Sequence, residues 1–174
     1  MGRCIAYTKD LKPLDIVISK RVILGDVDQV NEDNVKYGQV PGFEQVFDAS
    51  EDVVSYIETA FEKRTYSVYK EANFISTSVD YHKKEQIYDI HEFDHILGYD
   101  TNVVFDNNTG GVALGCNLTR VPFVSIKVVE RYLEKNSDVN TYLKAMKEYV
   151  NIGKAVVTCI GDIGRNEIIT EGGK

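Results

Sequence analysis

Basic residues are outnumbered, cysteines are few and scattered, and no long apolar run is present. Each scarcity removes a class of protein. Lys and Arg number 20 against 27 Asp and Glu, a net charge of -7, so a broad basic face for duplex nucleic acid is disfavoured, while local phosphate binding stays open. No stretch approaches the roughly 18 apolar residues of a membrane span, and the first residues lack the basic, apolar and small-residue order of a signal peptide. A cytoplasmic protein without a membrane partner is the expectation. Cys4, Cys116 and Cys159 are odd in number and far apart, which argues against a disulfide framework and for buried free thiols. His82, His91 and His95 share a polar, aromatic region but lack the paired spacing and glutamate of a zinc protease, so no metal site is expected. No repeat or flexible linker divides the 174 residues, and one domain spanning residues 1–174 is expected.

The acidity is local. Residues 21–60 hold nine acids and two bases, and the remaining chain has 18 of each. This segment is either a solvated loop face or a loop facing a partner or a cation. Within it, Tyr37-Gly38-Gln39-Val40-Pro41-Gly42-Phe43 reads as a structured excursion turning at Pro41-Gly42.

Strands are predicted at 15–19, resumed at 22–24, and at 73–77, 101–105 and 121–129, where β-branched and apolar residues cluster. Asp48 and Glu51 form a candidate capping box for a helix whose stripe is Val53, Val54, Ile57, Ala60 and Phe61. A short helix is predicted at 87–93, a small-residue helix at 112–118, and another whose apolar positions are Val139, Tyr142, Leu143, Met146, Tyr149 and Val150. A second apolar patch follows at 155–160. This order fits an α/β architecture better than an all-helical or all-β one.

In open α/β sheets ligands gather beyond the carboxyl ends of strands, which singles out residues 76–80, 106–111 and 127–131. Asp106, Asn107 and Asn108 carry groups that can bond sugar hydroxyls, and the glycines after them permit close approach. A plain turn explains the same residues. Phe74 can stack on an aromatic ligand or belong to the core, and Ser76 or Ser78 can donate to a ligand. Lys127 can steady an anion and Glu130 can exchange a proton, or Glu130 can form a surface ion pair with Arg131.

Three segments, Leu11-Lys12-Pro13-Leu14-Asp15-Ile16-Val17-Ile18-Ser19, Asp26-Val27-Asp28 and Tyr37 to Gly42, together resemble the methylthioadenosine/S-adenosylhomocysteine nucleosidases of the purine nucleoside phosphorylase superfamily. Ser76-Thr77-Ser78, Asp106 to Gly111, Val121-Pro122-Phe123 and Ile126 to Glu130 follow in the order of that family. The resemblance implies a partial three-layer sandwich with a mixed or mostly parallel sheet, no cofactor, and a homo-oligomer contacting its partner through Tyr37, Pro41 and Phe43. It also implies hydrolysis of the N-glycosidic bond of an adenine nucleoside, here weak or absent, with non-catalytic nucleoside binding or structural oligomerisation as the alternative. The family's ribose glutamate falls on Asn108, with Asp106 at the acidic position two residues earlier. Its purine-protonating aspartate falls on Arg131, leaving Glu130 as the candidate acid, and its stacking aromatic falls on Asp80, with Tyr81 or Phe74 as replacements. The resemblance begins after the family's glycine-rich loop, whose remnant is expected at Gly2 to Ala6. The initial βαβ portion, with its water-orienting glutamate, is therefore expected to be missing, and a sheet cut in this way should expose edges.

Overall fold

The protein is described by a computed structural model covering residues 1–171 except 9, 32–33, 63–68, 80, 82, 84–101, 134 and 136–137; at 60, 69, 159–160 and 162–171 the backbone alone is described. Its elements are β1 Gly2–Ala6, β2 Ile16–Leu24, β3 Phe47–Asp48, α1 Glu51–Glu62, β4 Tyr69–Ser76, β5 Val103–Asp106, α2 Thr109–Thr119, β6 Ile126–Tyr132 and α3 Val139–Glu171. Asp80, His82, His91, His95 and the helix predicted at 87–93 lie outside the described residues.

The α/β class and the mixed sheet hold, but the sandwich does not. The strand order is β3-β2-β4-β5-β1-β6, and β2 also pairs with β6, closing five strands into a barrel with β3 continuing one edge of β2. Pairings β2–β4, β4–β5 and β1–β6 are parallel, whereas β1–β5 and β2–β6 are antiparallel. Closure removes the open edges expected of a cut sheet, because the amino half of β2 is bonded to β6. Gly2 to Ala6 is likewise no remnant of a loop. It is a strand between β5 and β6.

A five-stranded barrel is narrow, and its lining is correspondingly small. Alternate residues of the closing strands supply Cys4, Ala6, Val17, Val22, Ala72, Val104 and Val129, with Phe74 as the large filler. The outward residues Ile16, Ile18, Ile126 and Val128 pack against Ile57 and Phe61 of α1 and Ala145, Ile152 and Val156 of α3. Tight closure also demands strand bends, and two bulges provide them. One falls in β2 between Ser19 and Arg21, where Lys20 separates the two predicted strand pieces and makes them one strand. The other lies opposite Cys4 and Ile5, where Glu130 is the extra residue of β6.

Several boundaries move for identifiable reasons. β6 begins at Ile126, later than predicted, and Pro122 in the preceding stretch has no N–H to give a ladder. α2 begins at Thr109, three residues early, because the Asp106 carboxylate accepts the Thr109 N–H at 3.1 Å. At α1 the side chain receiving an amide is Ser50, whose hydroxyl accepts from Val53 N–H at 3.5 Å. On α3 the predicted stripe divides: Tyr142, Met146 and Tyr149 face a cleft, whereas Val139, Leu143 and Val150 are exposed. The turn at Pro41-Gly42 is present, with Phe43 N–H donating to Val40 carbonyl at 3.0 Å and Gly42 at φ +83°.

Gly110 lets α2 lie against β2 and β4. A methyl group there would sit 2.9 Å from Ser76 Cβ and collide with the Leu24 side chain. Gly110→Ala is therefore expected to lower the unfolding free energy by about 1–3 kcal/mol in urea titration. An unchanged midpoint would contradict this close approach.

At the start of α3, Asp138 accepts from Thr141 N–H at 2.9 Å and from its hydroxyl at 2.7 Å. The Thr141 hydroxyl, then its N–H, holds the Asp138 carboxyl below its ordinary range. A depressed carboxyl adds stability above its unfolded pKa, and that contribution disappears as pH falls through the folded value. Asp138→Ala should consequently melt below the wild type at neutral pH, with the gap closing in acid. A gap that persists at pH 2 would defeat the assignment.

Candidate active site

The carboxyl ends of β4 and β5 meet the amino ends of β1 and β6 at one mouth of the barrel, where Ser76 pairs with Asp106 and Gly2 with Lys127. Lys127 and Asp106 form an ion pair of 2.6 Å with side chains 1% and 0% exposed. Two bare charges in a barrel end would be strongly unfavourable, so the pair persists only with further hydrogen bonds. Asp106 Oδ2 receives them from Thr109 N–H and the Thr109 hydroxyl, and Asn108 Oδ1 accepts from Lys127 Nζ. The Thr109 hydroxyl also meets Ser125 Oγ at 3.0 Å, and Ser125 N–H donates to Ser19 Oγ at 2.8 Å. Among the described residues, Asp106 Oδ1 has no hydrogen-bond partner although it is buried.

A cleft of about 550 Å³ opens over this mouth, lined by Asp106, Asn107, Asn108, Glu130, Arg131 and Tyr142 among others. Asn107 and Asn108 are exposed at its edge. The β6 bulge turns Glu130 toward Arg3, whose guanidinium it holds at 2.5 Å. Arg3 lies 4.8 Å from the centre of the Tyr142 ring. Arg131 is buried and donates to the carbonyls of Tyr132 and Leu133 at 3.2 Å and of Tyr81 at 2.9 Å. It thus fastens the chain after β4 to the end of β6. Tyr81 packs edge-on to Phe105, a cleft residue, at 5.4 Å. Burial, then Asp26, raises the Tyr81 hydroxyl above its ordinary pKa.

Asp106, Asn107, Asn108 and Glu130 are brought together, with Lys127 directly beneath Asp106 and Asn108. Phe74 is fully buried in the barrel, Ser76 is buried beside Gly110, and Ser78 is exposed, its N–H held by Asp26. Tyr37 and Phe43 pack partly buried against their own chain, and Pro41 is exposed at the turn. Cys4 is buried in the barrel, where burial pushes its thiol pKa up and keeps it protonated. Among the described residues no cluster of potential metal ligands is present.

Thr109, Ser125, Ser19 and Arg3 have no role assigned from sequence, although Thr109 lies within the 106–111 stretch. The first three did leave a signal: a hydroxyl inside an apolar strand or beside its end must find a buried partner. Arg3 left none, because its contact to Glu130 spans 127 positions.

By sequence, no protein-family profile and no curated protein matches the chain. Solved structures do match. Futalosine hydrolase of Helicobacter pylori is 19% identical with a TM-score of 0.72, over 90% of this chain and 65% of that one. The methylthioadenosine/S-adenosylhomocysteine nucleosidase of Colwellia psychrerythraea, solved with adenine, is 20% identical with a TM-score of 0.73, over 92% and 64%. The corresponding Neisseria meningitidis nucleosidase, solved with methylthio-immucillin-A, is 21% identical with a TM-score of 0.71, over 91% and 66%. The chain has the fold of these three enzymes and spans about two thirds of their length. No helix among the described residues is long and apolar enough to cross a membrane.

The buried pair supplies a stability test. Lys127→Met leaves the Asp106 carboxylate without its cation and should lower the unfolding free energy by about 3–5 kcal/mol. Combining it with Asp106→Asn should return part of that loss. Additive losses in the double variant would show that the two side chains do not act as a pair.

Proposed function

We propose that the cleft binds a purine nucleoside by its sugar and that the chain hydrolyses the N-glycosidic bond of methylthioadenosine or S-adenosylhomocysteine weakly at most, releasing adenine. The observation that carries this reading is the gathering of Asp106, Asn107, Asn108 and Glu130 around one cleft, in a fold shared with nucleosidases.

In such a hydrolysis the bond from sugar to purine breaks, water supplies the new hydroxyl, and the departing base takes a proton. Positive charge grows on the sugar before water is bound, so fixed negative charge beside it accelerates the reaction. This cleft offers little of it. The charge of Asp106 is countered by Lys127 at 2.6 Å, and Asn108 is neutral. Arg131 cannot give up a proton at ordinary pH, and its guanidinium is engaged with three carbonyls. Glu130 could serve as the acid only by leaving Arg3. These features favour binding over turnover.

The test follows adenine release from methylthioadenosine, S-adenosylhomocysteine and adenosine between pH 5 and 8, alongside calorimetric binding. Wild type should bind with slow release, and Asn108→Glu should raise release about 10-fold or more by restoring a carboxylate at the sugar. Binding with no release from either protein would leave a nucleoside-binding protein and remove the hydrolase. Absence of binding would overturn both.

A further inference from the structure

We infer that the outer stripe of α3 in one copy of the chain docks on the groove beside α1 of a second copy, so that the protein associates with itself through these two helices. The stripe is Leu143, Lys147, Val150, Lys154 and Val157, set at alternate steps of four and three residues and therefore along one line of the helix. Its aliphatic members are left to solvent: Leu143 is 58%, Val150 49% and Val157 70% exposed, and Val139, one turn before Leu143, is 73% exposed. A helix that packed only on its own barrel would carry polar residues at those positions. Lys147 and Lys154 make no ion pair among the described residues. Lys144 shares a neighbouring face with Glu148, four residues on, so those two charges offset each other and the stripe itself is positive.

The groove carries the same pattern with the opposite sign. It encloses about 510 Å³ between α1 and the strands, with Glu51, Val54 and Glu58 of α1 on one side and Lys20, Arg21, Asp48 and Glu71 on the other. Four acids thus stand against two bases. Lys20 pairs with Glu71 at 3.5 Å and Arg21 with Asp48 at 3.4 Å, while Glu51 and Glu58 make no ion pair among the described residues. Glu51, Val54 and Glu58 repeat the spacing of Lys147, Val150 and Lys154, an aliphatic residue three after the first charge and a second charge seven after it. Seven helical residues set the two charges of each trio about 10.5 Å apart along the axis. Within one copy the trios are not joined, and α1 and α3 meet instead through Ile57 and Phe61 against Ala145, Ile152 and Val156. A second copy supplies the complement to both trios at once, which gives a use to part of the acidity concentrated in residues 21–60. An anionic lipid surface, the other partner suited to a helix bearing aliphatic and lysine side chains, would have to approach a chain of net charge -7 whose acidic α1 packs beside α3.

Sedimentation velocity of the full chain over a concentration series tests this. Wild type should self-associate in the micromolar range, more weakly at high salt than at low. Lys147→Glu with Lys154→Glu makes both surfaces acidic, and Glu51→Lys with Glu58→Lys makes both basic; each double variant should weaken association about 10-fold or more. An equimolar mixture of the two double variants should recover it, since each then meets the opposite charge on the other. Circular dichroism checks their folding, and Leu143→Asp should weaken association with all four of those charges in place. A wild type that stays monomeric at every concentration overturns the inference, and its sedimentation with vesicles of phosphatidylserine and phosphatidylcholine would give the stripe to a lipid surface instead. Association lost in the lysine double variant but kept in the glutamate one would mean that α3 pairs with its own counterpart, which overturns the role of the groove. Failure of the mixture to recover association overturns the charge match.

Discussion

The ion pair between Lys127 and Asp106 is the constraint on which the barrel mouth depends. Both side chains are essentially inaccessible, so neither charge can be satisfied by water. Every neighbour is consequently committed: Thr109 gives Asp106 a backbone and a hydroxyl donor, Asn108 gives Lys127 an acceptor, and Ser125 continues the hydroxyl contacts toward Ser19. The same bonds decide where α2 begins and how it sits against β2 and β4. A structural requirement of the barrel thereby fixes the orientation of a residue exposed at the cleft.

Closure of the sheet is the second constraint, and it acts on the site through the bulges. Five strands enclose little space, which explains the small lining of Cys4, Ala6 and Ala72 around the large ring of Phe74. Closing so tight a ring requires sharp local twist, and the bulge at Glu130 supplies it on β6. One extra residue moves Glu130 toward Arg3 and places Arg131 where its guanidinium reaches three carbonyls. Adjacent residues on one strand thus have unlike tasks: Glu130 lines an open cleft, and Arg131 ties two chain segments together.

Much of this was legible from local pattern, and the failures share a cause. Strands were found where β-branched residues cluster, including β2, whose interruption at Lys20 is the bulge itself. The junction at 106–111 was found because a run of Asp and Asn before glycines ends strands and begins helices, and four of the predicted polar residues do line one cleft. What local pattern cannot express is which strands become neighbours. The antiparallel contact of Ile16 with Val128 closes the sheet, yet it joins residues 112 positions apart by backbone bonds indifferent to side-chain identity. Gly2 to Ala6 was misread for the same reason, since a short run becomes a central strand only when β5 and β6 flank it. Phe74 presents the converse difficulty: an aromatic ring beside a polar strand end suits a ligand or a core equally well, and the need to fill the barrel decides.

The resemblance and the structure meet most instructively at Asn108. Exchanging a glutamate for an asparagine is usually counted as the loss of one charge. A carboxylate has only accepting oxygens, whereas an amide whose oxygen accepts from a lysine keeps a second lone pair there and adds two N–H donors. Lys127 would pair equally well with a carboxylate at 108, so its presence does not force the asparagine. It fixes the consequence once the asparagine is there. The scaffold that gathers the polar residues accommodates an asparagine there: Asp106 is paired, α2 begins at Thr109, and the exposed edge carries amide donors beside an acceptor. A fold carries no chemistry by itself, and at this mouth a buried ammonium sets how one exposed amide is turned.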